Sequence, residues 1–403
     1  MKILLHSNAP WAGSGYGQQC AQYAVLFREA GHDVAISTNW GLQGAGLNWD
    51  GIKVYPGDNA WGNKTLPIVA AHHGGGDASV VQVITLLDVH VLKQARLGDL
   101  NIASWCPVDH DPCPVRVADY FRRTRAVPIA MSRFGEQALA DVGQEPYYVP
   151  HGVDTDVFCP HEDRLAAREA MQVPADAFVI GMVARNQGSS PCRKAFPQVF
   201  SAFASFRSRH DDAYLYLHTD MYGFEDGINL FAMADAYGIP KGSYSWTHQG
   251  NVELGLVEPP ELAALYNAFD VLANPSFGEG FGIPIVEAQA CGTPVIVTNH
   301  TAMPELCGAG WVVGGPRLYD PSQGAFWRMP SEAEILDAME AAYQTAGALR
   351  EQARAFALPY DSQLVMADHW QPVLEALEER MDLGREVPPF DLAGARQQKG
   401  VPA

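Results

Sequence analysis

Two carboxylates, Glu279 and Glu287, bracket a glycine-rich turn within residues 274–306, which read NPSFGEGFGIPIVEAQACGTPVIVTNHTAMPEL. Gly278, Gly280 and Gly282 let a backbone turn tightly and approach a ligand closely. Pro284 suits the first turn of a helix beginning there. The free amides at Phe281, Gly282 and Ile283 would then make a positive helix terminus, suited to a diphosphate. Carboxylates at such a terminus repel phosphate but accept hydrogen bonds from sugar hydroxyls. The glycine spacing taken alone is equally that of an ordinary loop-to-helix turn, with a glutamate favouring the helix dipole.

The elements that would hold this turn alternate between two periods. Short apolar strands are expected over residues 2–8, 32–38, 80–87, 101–108, 126–132 and 146–149, with helices between. The largely apolar run 80–87 suits a strand buried on both faces of a parallel sheet. A second series places strands at 178–184, 214–218, 271–274 and 293–298, and a helix at 283–290. This rhythm predicts an α/β chain of two doubly wound units, joined near 152–161. Open α/β sheets bind ligands beyond the carboxyl ends of their strands. That places Asp88 and His90, Asp109 and His110, and Thr219 and Asp220 at a cleft, although Asp88 is as well explained as a helix cap. A final helical stretch starts at an Asp361 cap and meets Pro372, which should kink or split it.

Composition narrows the class. The chain has 403 residues, enough for two ordinary domains. Its formal charge of −19 counts against broad nucleic-acid binding, while leaving room for a local basic groove. Seven cysteines without a CxxC pair read as reduced thiols of a cytoplasmic enzyme. The opening MKILLH is too short for a signal peptide, and no stretch approaches a transmembrane span. Arg122, Arg123 and Arg125 suit the dipole of a helix end, with contact at the periphery of a membrane as the competing reading. Asp109-His110-Asp111 and Asp154-Thr155-Asp156 are three-residue acidic patterns too short to argue for a metal. Cys106, Asp109, His110 and Cys113 are spaced irregularly for zinc, so no metal ligands are expected. The oligomeric state is not legible.

Segment 274–306 closely resembles the donor-site signature of family 4 glycosyltransferases, in which seven residues separate the two glutamates in an "EGFG-P-EA-A-G-PVI" frame. The resemblance continues through the loop Gly13-Ser14-Gly15-Tyr16-Gly17, the stretch Gly31-His32-Asp33-Val34 and the link Pro150-His151-Gly152-Val153-Asp154 with Phe158. It implies a GT-B fold, with two Rossmann-like domains facing a cleft and a C-terminal helix crossing back to the first. The domains would be an acceptor-binding unit at 1–155, a donor unit at 156–360, the crossing helix at 361–385 and a flexible tail at 386–403. Glu287 would hold the nucleotide ribose and Glu279 the transferred sugar, with backbone contacts from Gly280, Phe281 and Gly282. Arg185 and Lys194 resemble the basic pair gripping the donor diphosphate, whose negative charge grows as it leaves. Residues 187–192 look like an insertion, which brings Arg193 into competition with Lys194; Lys194 is favoured. Gly13, Gly15 and Tyr16 would lie near the acceptor and the donor phosphates. His110 or Asp109 would stand near the reacting sugar carbon.

The reaction so implied moves a sugar from a nucleoside diphosphate, UDP or GDP, to an acceptor hydroxyl, with retention and without a cofactor or required metal. The competing readings are a nucleotide-sugar epimerase or hydrolase of the same fold, and an inactive nucleotide-sugar-binding module. The acceptor is not legible in the sequence.

Overall fold

The short apolar runs assemble into two parallel sheets. The computed structural model describes residues 1–93, 97–161, 163–188, 192–224 and 226–383. The first sheet contains β1 (Lys2–Asn8), β2 (Asp33–Trp40), β3 (Leu47–Trp49), β4 (Ile52–Tyr55), β5 (Val81–Leu86), β6 (Asn101–Cys106), β7 (Val127–Ala130) and β8 (Tyr147–Tyr148). Their order is β3-β4-β2-β1-β5-β6-β7-β8, and only the β3–β4 pair is antiparallel. The second sheet contains β9 (Phe178–Val183), β10 (Ala213–His218), β11 (Tyr244–Trp246), β12 (Val271–Ala273), β13 (Val295–Thr298) and β14 (Gly310–Val313). Its order, β11-β10-β9-β12-β13-β14, is parallel throughout. β5 is buried along its whole length, Gln82 and Thr85 included.

Each sheet reverses its winding once, between β1 and β5 in the first and between β9 and β12 in the second. Crevices open at such reversals, beyond the carboxyl ends of the strands. The first crevice is bordered by the loop before the helix Gly15–Glu29 and by Asp88. The second is bordered by Arg185 and by the glycine turn after β12.

An antiparallel hairpin, β15 (Arg317–Asp320) with β16 (Ala325–Arg328), follows β14 and has no counterpart in the sequence expectation. Neither strand has an apolar alternation strong enough to announce it.

At the C-terminal end, Asp361 accepts hydrogen bonds from the Gln363 and Leu364 amides at 2.9 and 3.4 Å. A π turn, Met366–Trp370, then leads into the helix Gln371–Leu383. Pro372 has no amide to donate, and the widened turn directly before it absorbs the defect without ending the helix. Trp370 is fully buried against Tyr23, Phe27 and Trp105, with ring centroids 5.7, 5.0 and 4.9 Å away. The last helix therefore packs back on the first sheet. The expected tail, 386–403, lies outside the described residues, as do 189–191 of the expected insertion.

Candidate functional site

Strand β12 ends at Ala273, and the next side chain ties the reversal together. Asn274 accepts from the Val183 amide at 3.2 Å and donates to the Val183 carbonyl at 2.8 Å, locking β12 to the end of β9. The chain then runs through the glycine turn. Gly282, at a φ of 114° that favours glycine, launches the helix Ile283–Ala290 with Pro284 in its first turn. The leading amides of a helix lack intrahelical acceptors, so a positive terminus sits at the crevice.

Glu279 lies in this turn and binds two cations. Its Oε1 takes Lys194 Nζ, and its Oε2 lies 3.2 Å from Arg193 Nη1. Burial works to raise the Glu279 carboxyl, but Lys194 and Arg193 prevail and hold it down to about 2. Burial and the neighbouring Arg193 lower the Lys194 ammonium, while Glu279 opposes them. Arg193 also donates to the Gly278 carbonyl at 2.5 Å. Both competing basic residues thus reach the same carboxylate. The Arg185 guanidinium lies 5.6 Å from the Trp40 ring centroid of the first sheet.

Glu287 sits deeper than its place near a helix start suggested. It is 3% exposed, and Tyr266 Oη donates to its Oε2 at 2.7 Å. Burial raises this carboxyl to about 7, against hydrogen bonds from Tyr266 and from Gln18 of the first half. Phe281 is buried beside His151 and Tyr360.

The two halves approach closely at four glycines, two of them in the turn. A β-carbon on Gly278 would stand 2.1 Å from the Asp109 carbonyl oxygen, and one on Gly280 2.4 Å from Pro107. One on Gly15 would meet Ile283 at 2.9 Å, and one on Gly13 would lie 3.3 Å from Gly255. The loop after β1 is set by Ser14, whose hydroxyl caps the Gly17 amide at 3.1 Å and accepts from Asn8 at 2.8 Å. Tyr16 follows. Burial, then Asp88 and Asp109, push its hydroxyl well above the ordinary value. Asp88 is open to solvent but crowded by protein in the crevice. Burial and Asp109 raise its carboxyl, while His90 and Arg193 pull it down. Tyr16, Asp88, Asp109, Arg193, Glu279 and Lys194 therefore form one electrostatic cluster between the two reversals.

Two expected site residues are placed differently. His110 is 2% exposed, and both of its nitrogens face carboxylates: Nδ1 lies 2.7 Å from Asp109 and Nε2 3.3 Å from Asp320. It has no free edge for a reacting sugar. Asp109 remains in the cluster, where burial is outweighed by His110 and Arg193 and its carboxyl is lowered. Asp220 lies two residues beyond β10, and its carboxylate caps the turn that follows, accepting from the Tyr222 and Phe224 amides at 2.7 and 2.5 Å. These two amides take part of the carboxylate's accepting capacity.

Among the described residues, no three His, Cys, Asp or Glu groups converge as a metal site. Cys106 and Cys113 are buried free thiols, each pushed up by burial. No helix among them is long and apolar enough to cross a membrane. Sequence reasoning missed Tyr266, Gln18, Asp320 and Trp327, which come from distant segments and carry no local motif.

Residues 229–326 match the family model described as Glycosyl transferases group 1. The D-inositol 3-phosphate glycosyltransferase of Corynebacterium jeikeium is 31% identical over 263 residues, covering 62% of this chain and 54% of that protein. The chain thus spans about half the length of the curated relatives it matches. Sucrose-phosphate synthase from Thermosynechococcus elongatus has the same fold, with a TM-score of 0.70 at 17% identity over 93% of this chain and 100% of that one. Anabaena HepE in complex with UDP-glucose gives 0.65 at 16% identity over 93% and 100%. The expected GT-B fold is the observed one.

Proposed function

From this kinship with the group 1 glycosyltransferases, we propose that the protein moves a sugar from a nucleoside-diphosphate sugar to an acceptor hydroxyl, with retention at the anomeric carbon and no required metal. The observation that carries the reading is Glu279 with Lys194 and Arg193 at the β9–β12 reversal, beside a helix N-terminus and facing the first sheet's own reversal. The helix terminus and the two cations suit a diphosphate, and Glu279 suits sugar hydroxyls. Glu287, deeper in the same half, suits ribose hydroxyls. Arg185 serves the far end of the diphosphate. Seven free thiols favour a cytoplasmic setting.

In the step, the bond between the anomeric carbon and the β-phosphate oxygen breaks, and its electron pair stays on that oxygen. The acceptor oxygen bonds to the same face of the carbon. Its proton passes to the departing phosphate, whose growing charge Lys194 and Arg193 stabilise. No side chain in the cluster is set as a covalent nucleophile, which favours this front-side course.

UDP-glucose, the ligand bound in the Anabaena structure, is the first donor to test. A panel of UDP-, GDP- and ADP-sugars should yield one that raises the melting temperature by mass action. NMR of the product of donor turnover, read before mutarotation, should find the donor's anomeric configuration. An inverted product would overturn the mechanism, and a flat panel would overturn the function.

A further inference from the structure

The hairpin β15–β16 belongs to the second half but grips the first. Asp111 and Phe326 exchange two backbone hydrogen bonds of 3.0 Å, and the Val115 amide donates to the Gln323 carbonyl at 3.0 Å. Arg317 donates to the Asp111 carbonyl at 3.2 Å. Above this short added strand, Asp320 Oδ2 stands 3.3 Å from His110 Nε2. Trp327 stacks on the His110 ring, with centroids 4.6 Å apart and planes at 25°. The same hairpin is tied to the glycine turn of its own half. The Arg328 amide donates to the Phe277 carbonyl at 3.0 Å, and Trp327 Cδ1 lies 3.1 Å from where a Gly278 β-carbon would stand. His300 Nε2 bonds the Phe326 carbonyl at 3.0 Å.

Segment 109–111 is therefore held between the hairpin and the glycine turn. His110 sits between two carboxylates, Nδ1 2.7 Å from Asp109 and Nε2 3.3 Å from Asp320. His110 becomes a rigid spacer, and its orientation sets that of Asp109. The Asp109 carbonyl packs on Gly278, one residue before Glu279, and its carboxylate faces Arg193.

We infer that Asp320 and Trp327 are positioning residues: by fixing His110 and Asp109 against Gly278, they make the sugar end of the donor pocket from both halves of the chain. The identity of the ligand in that pocket rests on the donor reading above. The hairpin contacts described above run to segment 109–115 and the glycine turn, so the nucleotide portion should be held without it.

The test compares Trp327→Ala and Asp320→Ala with the conservative Trp327→Phe and Asp320→Asn, all first checked for a wild-type melting profile. UDP should bind each alanine variant within roughly twofold of wild type, while the preference for UDP-glucose over UDP falls roughly tenfold. Turnover should drop about a hundred-fold, the cost of an ångström-scale misplacement. Phenylalanine in place of Trp327 keeps a stacking face, and asparagine in place of Asp320 keeps an acceptor, so the conservative variants should recover most of both. Equal loss of UDP and UDP-glucose affinity, or no change in either, overturns the inference. Hydrogen exchange of residues 109–115 in the ligand-free protein gives a second readout, and it should quicken in both alanine variants. Unchanged exchange there also overturns the inference. Should wild type bind neither UDP nor UDP-glucose, the donor reading fails at that donor and the exchange result alone decides the role of the hairpin.

Discussion

Tyr266 Oη and Glu287 Oε2 share a 2.7 Å hydrogen bond inside the second half, and burial raises that carboxyl from an ordinary 4.5 to about 7. The folded chain therefore holds the Glu287 proton more tightly than the unfolded chain does. The stability linked to this proton is full below pH 4.5 and is lost as pH rises through about 7. A shift of this size corresponds to roughly 3 kcal/mol. Glu287→Gln cannot ionise, so its stability relative to wild type should rise with pH across that window, as read by urea unfolding. A difference independent of pH would contradict the assignment. Ribose hydroxyls donating to the ionised carboxylate should offset the cost, so a bound nucleotide should flatten the wild-type slope.

Glu279 runs the opposite way. Despite burial, Lys194 and Arg193 hold it at about 2, so its ion pairs contribute stability above pH 4.5 that disappears only as pH falls toward 2. Glu279→Gln should lower stability by about 1–2 kcal/mol, below the cost of breaking a fully buried pair because both cations retain some solvent. That deficit should stay constant between pH 5 and pH 8 and shrink in stronger acid. Sugar transfer should fall by roughly a hundred-fold or more, as for loss of a preorganised polar contact. Full activity in this variant would remove Glu279 from the site.

Gly278 tests closure of the cleft. An alanine there would place its methyl 2.1 Å from the Asp109 carbonyl oxygen, a backbone atom with little room to retreat. The two halves would have to separate at the sugar end. Gly278→Ala should therefore leave UDP affinity within roughly threefold and lower turnover by about a hundred-fold. The two effects are measured by titration calorimetry and by steady-state rates. An unimpaired kcat would mean that transfer does not need this contact.

Local patterns in the sequence carried much of this. β1, the helix Ile283–Ala290 and the Asp361 cap fall where periodicity and capping chemistry put them. The glycine turn was legible because its chemistry lies within a dozen consecutive residues. β3, β4, β11 and β14 were not anticipated; β3 and β11, LNW and YSW, are three residues with a polar centre and set no period. His110 shows the other limit. Its place at the end of β6 was readable, but its partners Asp320 and Trp327 lie more than two hundred residues away. Burial of Glu287 under Tyr266 is likewise a tertiary fact, since a glutamate in a helix gives no local sign of its depth. Asp220 has a second role that strand patterning did not show, since its carboxylate also caps its own turn.

Trp370 separates two energetic effects in one side chain. The ring is fully buried among Tyr23, Phe27 and Trp105, where the last helix meets the first sheet. Trp370→Ala should cost about 3–5 kcal/mol through lost burial and the cavity left behind. The indole Nε1 is buried with no hydrogen-bond partner among the described residues, and such a group costs about 1–3 kcal/mol in the folded state. Phenylalanine keeps much of the apolar volume and removes that N–H. The gain offsets part of the smaller ring's loss, so Trp370→Phe should cost less than about 2 kcal/mol. Urea unfolding of both variants decides it. Equal losses would mean that Nε1 is satisfied in solution, by water entering between the last helix and the sheet, and that the whole indole stabilises the crossing.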